Sequence, residues 1–231
     1  MNQDYKVFCL VTPQSSLNDF KIQGELSFSE SELSLLIKTL TLNFFENLKL
    51  TSSKEAINVM IFLKENEYEN YFQEIPALYA DLMNIQLVTN SDKLIDELKN
   101  YSKFFIVISD VMGISTKDII TSNNLISSDD NTLVISKSEN EEICFIAFNH
   151  YDNYLIKKMI EPNLDYENFL SGIETEKFFI HIINGHFRVN NFSNFKLLYK
   201  KLSTKESLEY CNQEIHEKFT NLFIEYRDYI K

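Results

Sequence analysis

The stretch Lys103 to Ser115, K-F-F-I-V-I-S-D-V-M-G-I-S, constrains the fold of this chain more than any other. Phe104 to Ile108 are continuously apolar and partly β-branched, the pattern of a central strand covered on both faces. The run stops at Ser109 and Asp110, which places a carboxylate at the carboxyl end of the strand, where open α/β sheets bind ligands. Ser115-Thr116-Lys117-Asp118 then reads as a helix start, with a hydroxyl to cap the first free N–H groups and an acid in the first turn. The unit is strand, acidic turn, helix.

Alternation of this kind continues along the chain. Tyr5 to Thr12 reads as a strand ending at Pro13 and a polar loop, Gln14 to Asp19. Ser29-Glu30-Ser31-Glu32 is a capping-box signature, and Leu33, Leu36, Ile37, Leu40 and Phe44 recur behind it at helical spacing. Ile57 to Leu63 is a second strand. Glu67 to Leu82 reads as helix interrupted near Pro76, Ile85 to Val88 as a short strand and Lys93 to Leu98 as helix. Beyond Asp110, Thr132 to Ile135 and Ile143 to Phe148 are strands separated by an acidic turn. Tyr154 to Ile160 and Glu174 to Ile183 look helical, and His186 to Val189 is a short strand. Ser203-Thr204-Lys205-Glu206 repeats the capping box. Leu208, Cys211, Ile215, Phe219, Leu222 and Tyr226 follow at i+3 and i+4 steps, predicting one amphipathic helix over about 204–229 that either closes the sheet or meets a partner. Strands alternating with helices imply an α/β fold, a mostly parallel sheet with helices on both faces. Tyr5 to Thr12, Ile57 to Leu63 and Phe104 to Ile108 should lie adjacent and parallel in it. No repeat or linker divides the 231 residues, so one domain over 1–231 is expected.

Charge narrows the function. A formal net charge of -12, with Arg188 and Arg227 the only arginines, argues against nucleic acid as a partner, because neutralising phosphates needs clustered basic side chains. It argues equally against an anionic membrane surface. No basic start leads into an apolar stretch and no apolar run approaches about 18 residues, so a cytoplasmic protein is the expectation. Cys9, Cys144 and Cys211 are far apart and form no C-x-x-C pattern, the usage of reduced packing thiols. His150, His181, His186 and His216 lack metal-ligand spacing. Four scattered glycines, Gly24, Gly113, Gly172 and Gly185, cannot build a phosphate-cradling loop.

Two blocks carry a resemblance. Ser109-Asp110, with its spacing to Ser115, resembles the G-S-D-x-P-x-L-T strand of the radical-SAM/selenodomain-associated transferases, relatives of the GT-A nucleotide-diphospho-sugar transferases. Ile135 to Phe148 looks like their G-P-x-E-D-G-G-Y-Y-L-I-G-L block, with the apolar frame kept and the polar centre changed to Glu139-Asn140-Glu141-Glu142. The resemblance implies a three-layer αβα GT-A-like fold and a nucleotide-diphosphate site served by a divalent cation, Mg2+ or Mn2+. It makes Asp110 the candidate metal-holding and catalytic carboxylate, and Lys21, Ser109 and Asn140 candidate nucleotide contacts.

The same resemblance exposes departures. The family's K-T-R-L loop corresponds to Asp19-Phe20-Lys21-Ile22, so an acid stands where a diphosphate expects a lysine. An amide, Asn140, replaces an aspartate, Glu141 and Glu142 replace two permissive glycines, and the late D-V-D-T-P-E-D-L looks like Lys201 to Leu208 without its leading acids. One carboxylate rarely holds Mg2+ alone. The leading expectation is therefore a degenerate, non-catalytic binding or interaction protein that needs no cofactor, with a nucleotide sugar, another protein or a second copy as partner. The alternative is a Mg2+-dependent nucleotidyl- or glycosyltransferase in which Asp110 holds the metal and Lys21 contacts phosphate. Asp110 itself has two readings, a cation ligand or a turn residue bonded to local N–H groups.

Overall fold

The computed structural model describes residues 6–12, 17–21, 27–51, 56–63, 72–128, 130–161, 165–205 and 207–230. Tyr5, Pro13 to Ser16, Ile22, Gly24, the stretch Glu67 to Tyr71 and Glu206, all used in the sequence reading, lie outside these residues.

Nine strands form two sheets: β1 (Lys6–Val11), β2 (Ile57–Phe62), β3 (Met83–Val88), β4 (Lys103–Ile108), β5 (Val111–Met112), β6 (Thr132–Lys137), β7 (Ile143–Phe148), β8 (Phe179–Ile183) and β9 (Phe187–Arg188), counted among the described residues. Seven of them make the main sheet in the order β3-β2-β1-β4-β7-β6-β8. β1 lies between β2 and β4 and is parallel to both, with Cys9 opposite Met60 on one side and Ile106 on the other. The three apolar runs that demanded cover on both faces therefore sit together, and Phe104 to Ile108 are all buried. β7 is antiparallel to β4 and to β6, which makes β6 run the same way as β4; β8 continues parallel to β6. Apart from β7, the strands of the main sheet deliver their carboxyl ends to one edge.

Helices flank the sheet, and their starts obey local chemistry. Ser29 and Glu32 form the expected capping box for Glu30–Lys49, and Ser115 and Asp118 form another for Thr116–Leu125. Buried apolar side chains from Val7 to Ile230 make one continuous cluster.

Three expectations are corrected. Glu174 to Ile183 is not helical: a 3-10 turn, Thr175–Lys177, leads into β8, whose Phe179 N–H donates to the Asn131 carbonyl at 2.7 Å. Phe178 to Ile183 are aromatic and β-branched at almost every position. Such side chains lose rotamer freedom in a helix and fit a pleated surface. The amphipathic stretch over 204–229 is divided into Ser207–Tyr210, Gln213–Glu225 and Arg227–Ile230. Ser203 ends the preceding helix, Phe192–Leu202, by donating its N–H to the Tyr199 carbonyl, and Asn212 caps Gln213–Glu225 instead, its side chain accepting from the Ile215 N–H at 2.9 Å. In an unbroken helix the Tyr210 carbonyl would accept from the Glu214 N–H; here the buried Asn43 amide takes it, at 2.9 Å. Within the described part of Glu67 to Leu82 the helix reduces to Ile75–Leu78, with Pro76 in its first turn.

Candidate functional site at the carboxyl edge of the sheet

β4 ends where it was expected to, and Asp110 lies just beyond it. The Ser109 N–H still donates to the Val11 carbonyl at 2.9 Å, extending the β1–β4 ladder by one residue. Asp110 is fully buried. Its carboxylate faces Arg188, whose Nε donates to Oδ1 at 2.9 Å and whose Nη2 donates to Oδ2 at 2.7 Å. This is a two-pronged guanidinium–carboxylate pair, the strongest geometry available to the two groups.

The pair is set by the backbone. β5 and β9 form an antiparallel ribbon in which Val111 lies opposite Arg188 and Met112 opposite Phe187, and the Val189 N–H donates to the Asp110 carbonyl at 2.8 Å. The ribbon closes tightly where Gly113 adopts φ +97°; a Cβ there would sit 3.2 Å from the Gly185 carbonyl oxygen. Burial works against the charge of Arg188, but the neighbouring Asp110 carboxylate outweighs it and raises the guanidinium pKa further above its ordinary value.

A second layer of polar contacts surrounds the pair. Glu142 accepts from the Asn190 side-chain amide at 2.6 Å, and Asn190 Oδ1 accepts in turn from the side-chain amides of Asn191 and Asn194, at the start of Phe192–Leu202. His186, also buried, bridges three elements: its Nδ1 is 2.5 Å from Ser136 Oγ on β6, and its Nε2 is 3.3 Å from Asp118 Oδ2 at the head of Thr116–Leu125. Burial opposes ionisation of Asp118, yet hydrogen bonds from His186 and Ser115 prevail and hold its pKa at about 2. A Ser–His–Asp set invites a hydrolase reading, but Ser136 has no exposed surface for a substrate to reach. The set holds the β5–β9 ribbon against β6 and the helix.

The other sequence candidates are dispersed. Ser109 is buried and its Oγ makes no hydrogen bond. Lys21 is exposed, in a bridge with Ser27 after the 3-10 turn Leu17–Phe20. Asn140 is exposed in the β6–β7 turn, its N–H donating to Ser138 Oγ at 3.2 Å. The Asp110 carboxylate is engaged by Arg188, and neither Lys21, Ser109 nor Asn140 shares in that contact. In the same turn Glu141 has φ +62°, the left-handed conformation that glycine adopts freely, and its side chain pairs with Lys137 at 2.5 Å. The turn has a glycine-type backbone at the position where the block it resembles carries a glycine. Among the described residues no three His, Cys, Asp or Glu side chains converge as a metal-holding group. No helix of the described residues is long and apolar enough to cross a membrane.

Arg188, Glu142 with Asn190, and the His186 bridge were not legible as a site. The one available signal for Arg188 was scarcity, an arginine in a short apolar strand of a chain with two.

No protein-family model matches the chain, and no curated protein does. Solved structures do. A presumed nucleotide-diphospho-sugar transferase from Desulfovibrio desulfuricans superposes with a TM-score of 0.63 at 9% identity, covering 96% of this chain and 97% of that one. A protein described as a mannose-1-phosphate geranyltransferase from Thermus thermophilus superposes with a TM-score of 0.50 at 11% identity, covering 87% of this chain and 80% of that one. At such identities the likeness establishes the fold: a largely parallel, helix-flanked sheet of the GT-A-like kind.

Proposed function

We propose that this chain is a GT-A-fold protein whose former transferase site has become a structural ion pair, and that it works as a non-catalytic binding or interaction protein. The observation that carries the reading is the engagement of both Asp110 oxygens by Arg188.

A divalent cation held by Asp110 would need those same oxygens, and Mg2+ demands near-octahedral oxygen coordination at about 2.0–2.1 Å. A guanidinium already occupying that face offers positive charge instead of ligands, and the described residues supply no cluster of further acids. These residues do not fit a metal-dependent transfer site, so no catalytic step is assigned to one. The exposed Lys21 and Asn140, outside the Asp110–Arg188 contact, support the same reading, as does the acid at position 19.

Isothermal titration against UDP-, GDP- and CDP-sugars, each with Mg2+ or Mn2+, tests it. The expected outcome is no metal-dependent binding. A micromolar or tighter dissociation constant that requires the metal would overturn the reading, because a cation held by Asp110 would then have displaced Arg188.

A further inference from the structure

A cleft of about 260 Å³ opens among the C-terminal helices Phe192–Leu202, Gln213–Glu225 and Arg227–Ile230, and it shares no residue with the Asp110 site. Tyr199, Leu202, Phe223, Ile224 and Ile230 give it apolar walls, with the Tyr199 and Phe223 rings edge to face at 5.3 Å. The backbone carbonyls around it are engaged. That of Leu202 accepts from His216 Nε2 at 3.0 Å, that of His216 from Thr220 Oγ1 at 2.9 Å, and that of Tyr199 from the Ser203 N–H at 2.9 Å. Little in the walls is therefore left to attract a cation.

The lining carries one Lys, Arg, Asp or Glu side chain among the described residues, Arg227. Of the chain's two arginines, Arg188 is matched by both oxygens of Asp110, whereas Arg227 is exposed and meets no carboxylate among the described residues. Many lysines elsewhere are neutralised, Lys38 by Glu74, Lys137 by Glu141 and Lys218 by Glu214. Lys196 and Lys200, on the face of Phe192–Leu202 that leads to Ser203 at the cleft, also meet no carboxylate among the described residues. The acids of the neighbouring helices, Glu214, Glu217, Glu225 and Asp228, are absent from the lining. On a chain of formal charge -12, the cleft is thus a local cationic spot where an anion can approach.

We infer that this cleft binds a small organic monocarboxylate, with its apolar body between Tyr199, Phe223 and Ile224 and its carboxylate against the Arg227 guanidinium. Size and charge select that class. An apolar cavity of about 150 Å³ already holds a benzene ring, and drug-sized sites run from about 300 to 1,000 Å³, so this one suits a single ring or a medium-length chain. One guanidinium presents a fork that matches the two oxygens of a carboxylate, while a phosphate dianion would call for a second cation in the lining. The inference rests on none of the residues that carry the proposed loss of transferase function.

Isothermal titration of the full chain at low salt with butanoate, hexanoate and octanoate tests it, alongside octanol, octyl phosphate and octyltrimethylammonium. Binding at one site is expected, tightening about fourfold for each methylene buried. Arg227→Met keeps an apolar stem and removes the charge, so octanoate should weaken at least about tenfold while octanol stays within about twofold of the parent. Ile224→Glu sets a carboxylate in the wall and should weaken octanoate to a similar degree. Both side chains are exposed, so both variants should fold as the parent does. No binding of octanoate at millimolar concentration overturns the inference. So does octanoate binding that the folded Arg227→Met leaves unchanged, an affinity indifferent to chain length, or tighter binding of octyl phosphate or octyltrimethylammonium than of octanoate.

Discussion

Asp110 and Arg188 are both withdrawn from water, with the aspartate side chain wholly buried and the arginine side chain 12% exposed. A strand-end aspartate bonded only to local N–H groups would cost roughly 0–2 kcal/mol to replace. Breaking a buried pair from one side is more severe, about 3–5 kcal/mol, because the surviving charge is left without a partner. Asp110→Asn and Arg188→Met should each therefore lower stability by about 3–5 kcal/mol. The double variant should lose much less than their sum, since no unpaired charge is then buried. Denaturant unfolding of the four proteins measures the difference, and strictly additive losses would show that the pair is not a unit. The sequence displayed one half of this pair plainly: a carboxylate closing an apolar run has a local signature. The other half lies 78 residues away, and nothing in a periodicity or a capping rule links two side chains across that distance. Glu141 was misleading in a similar way. Its side chain looks incompatible with a glycine position, yet the backbone accepts φ +62° at a cost of about 1–2 kcal/mol.

Elements were legible in proportion to how fully the sheet surrounds them. β1, β2 and β4 are covered on both faces, and their uninterrupted apolar runs announced them. β8 is paired along one edge only and follows directly on a 3-10 turn, Thr175–Lys177, so the whole stretch looked helical despite the aromatic and β-branched content of its second half. The C-terminal stretch shows a different limit. Spacing at i+3 and i+4 records which residues share a face, and that face persists through a break. Continuity depends on where backbone carbonyls find partners, and Asn43, from a helix more than a hundred and sixty residues earlier, claims the one at Tyr210. The two readings differ over which residue caps the helix. With Asn212 as the N-cap, Asn212→Ala should cost about 0.5–2 kcal/mol, while Ser203→Ala should stay within about 0.5 kcal/mol of the parent. Thermal unfolding of both variants checks this, and a larger loss at Ser203 would restore the single helix.

At the scale of the whole molecule, the three cysteines sample different depths of one continuous core. Cys9 lies on β1, the strand flanked by β2 and β4, Cys144 on β7, and Cys211 between the short helix Ser207–Tyr210 and Gln213–Glu225. Burial pushes the Cys9 thiol up to about 12 and the Cys211 thiol up to about 11, and it raises Cys144 as well, so none is an effective nucleophile while folded. Labelling must wait for an opening, and openings range from local fraying to global unfolding. Freeing Cys9 requires separating β1 from two parallel neighbours. Freeing Cys211 requires only the parting of a junction whose flanking helix, Ser207–Tyr210, has no buried residue. Pulsed alkylation along a denaturant series, read by mass spectrometry, should therefore modify Cys211 at lower denaturant than Cys9 and Cys144. The latter two should react together, at the midpoint of the spectroscopic transition. Labelling of Cys9 before Cys211 would mean that the parallel half of the sheet opens first, and the fold would then be anchored at its C-terminal helices and not at the strands that its sequence displays most clearly.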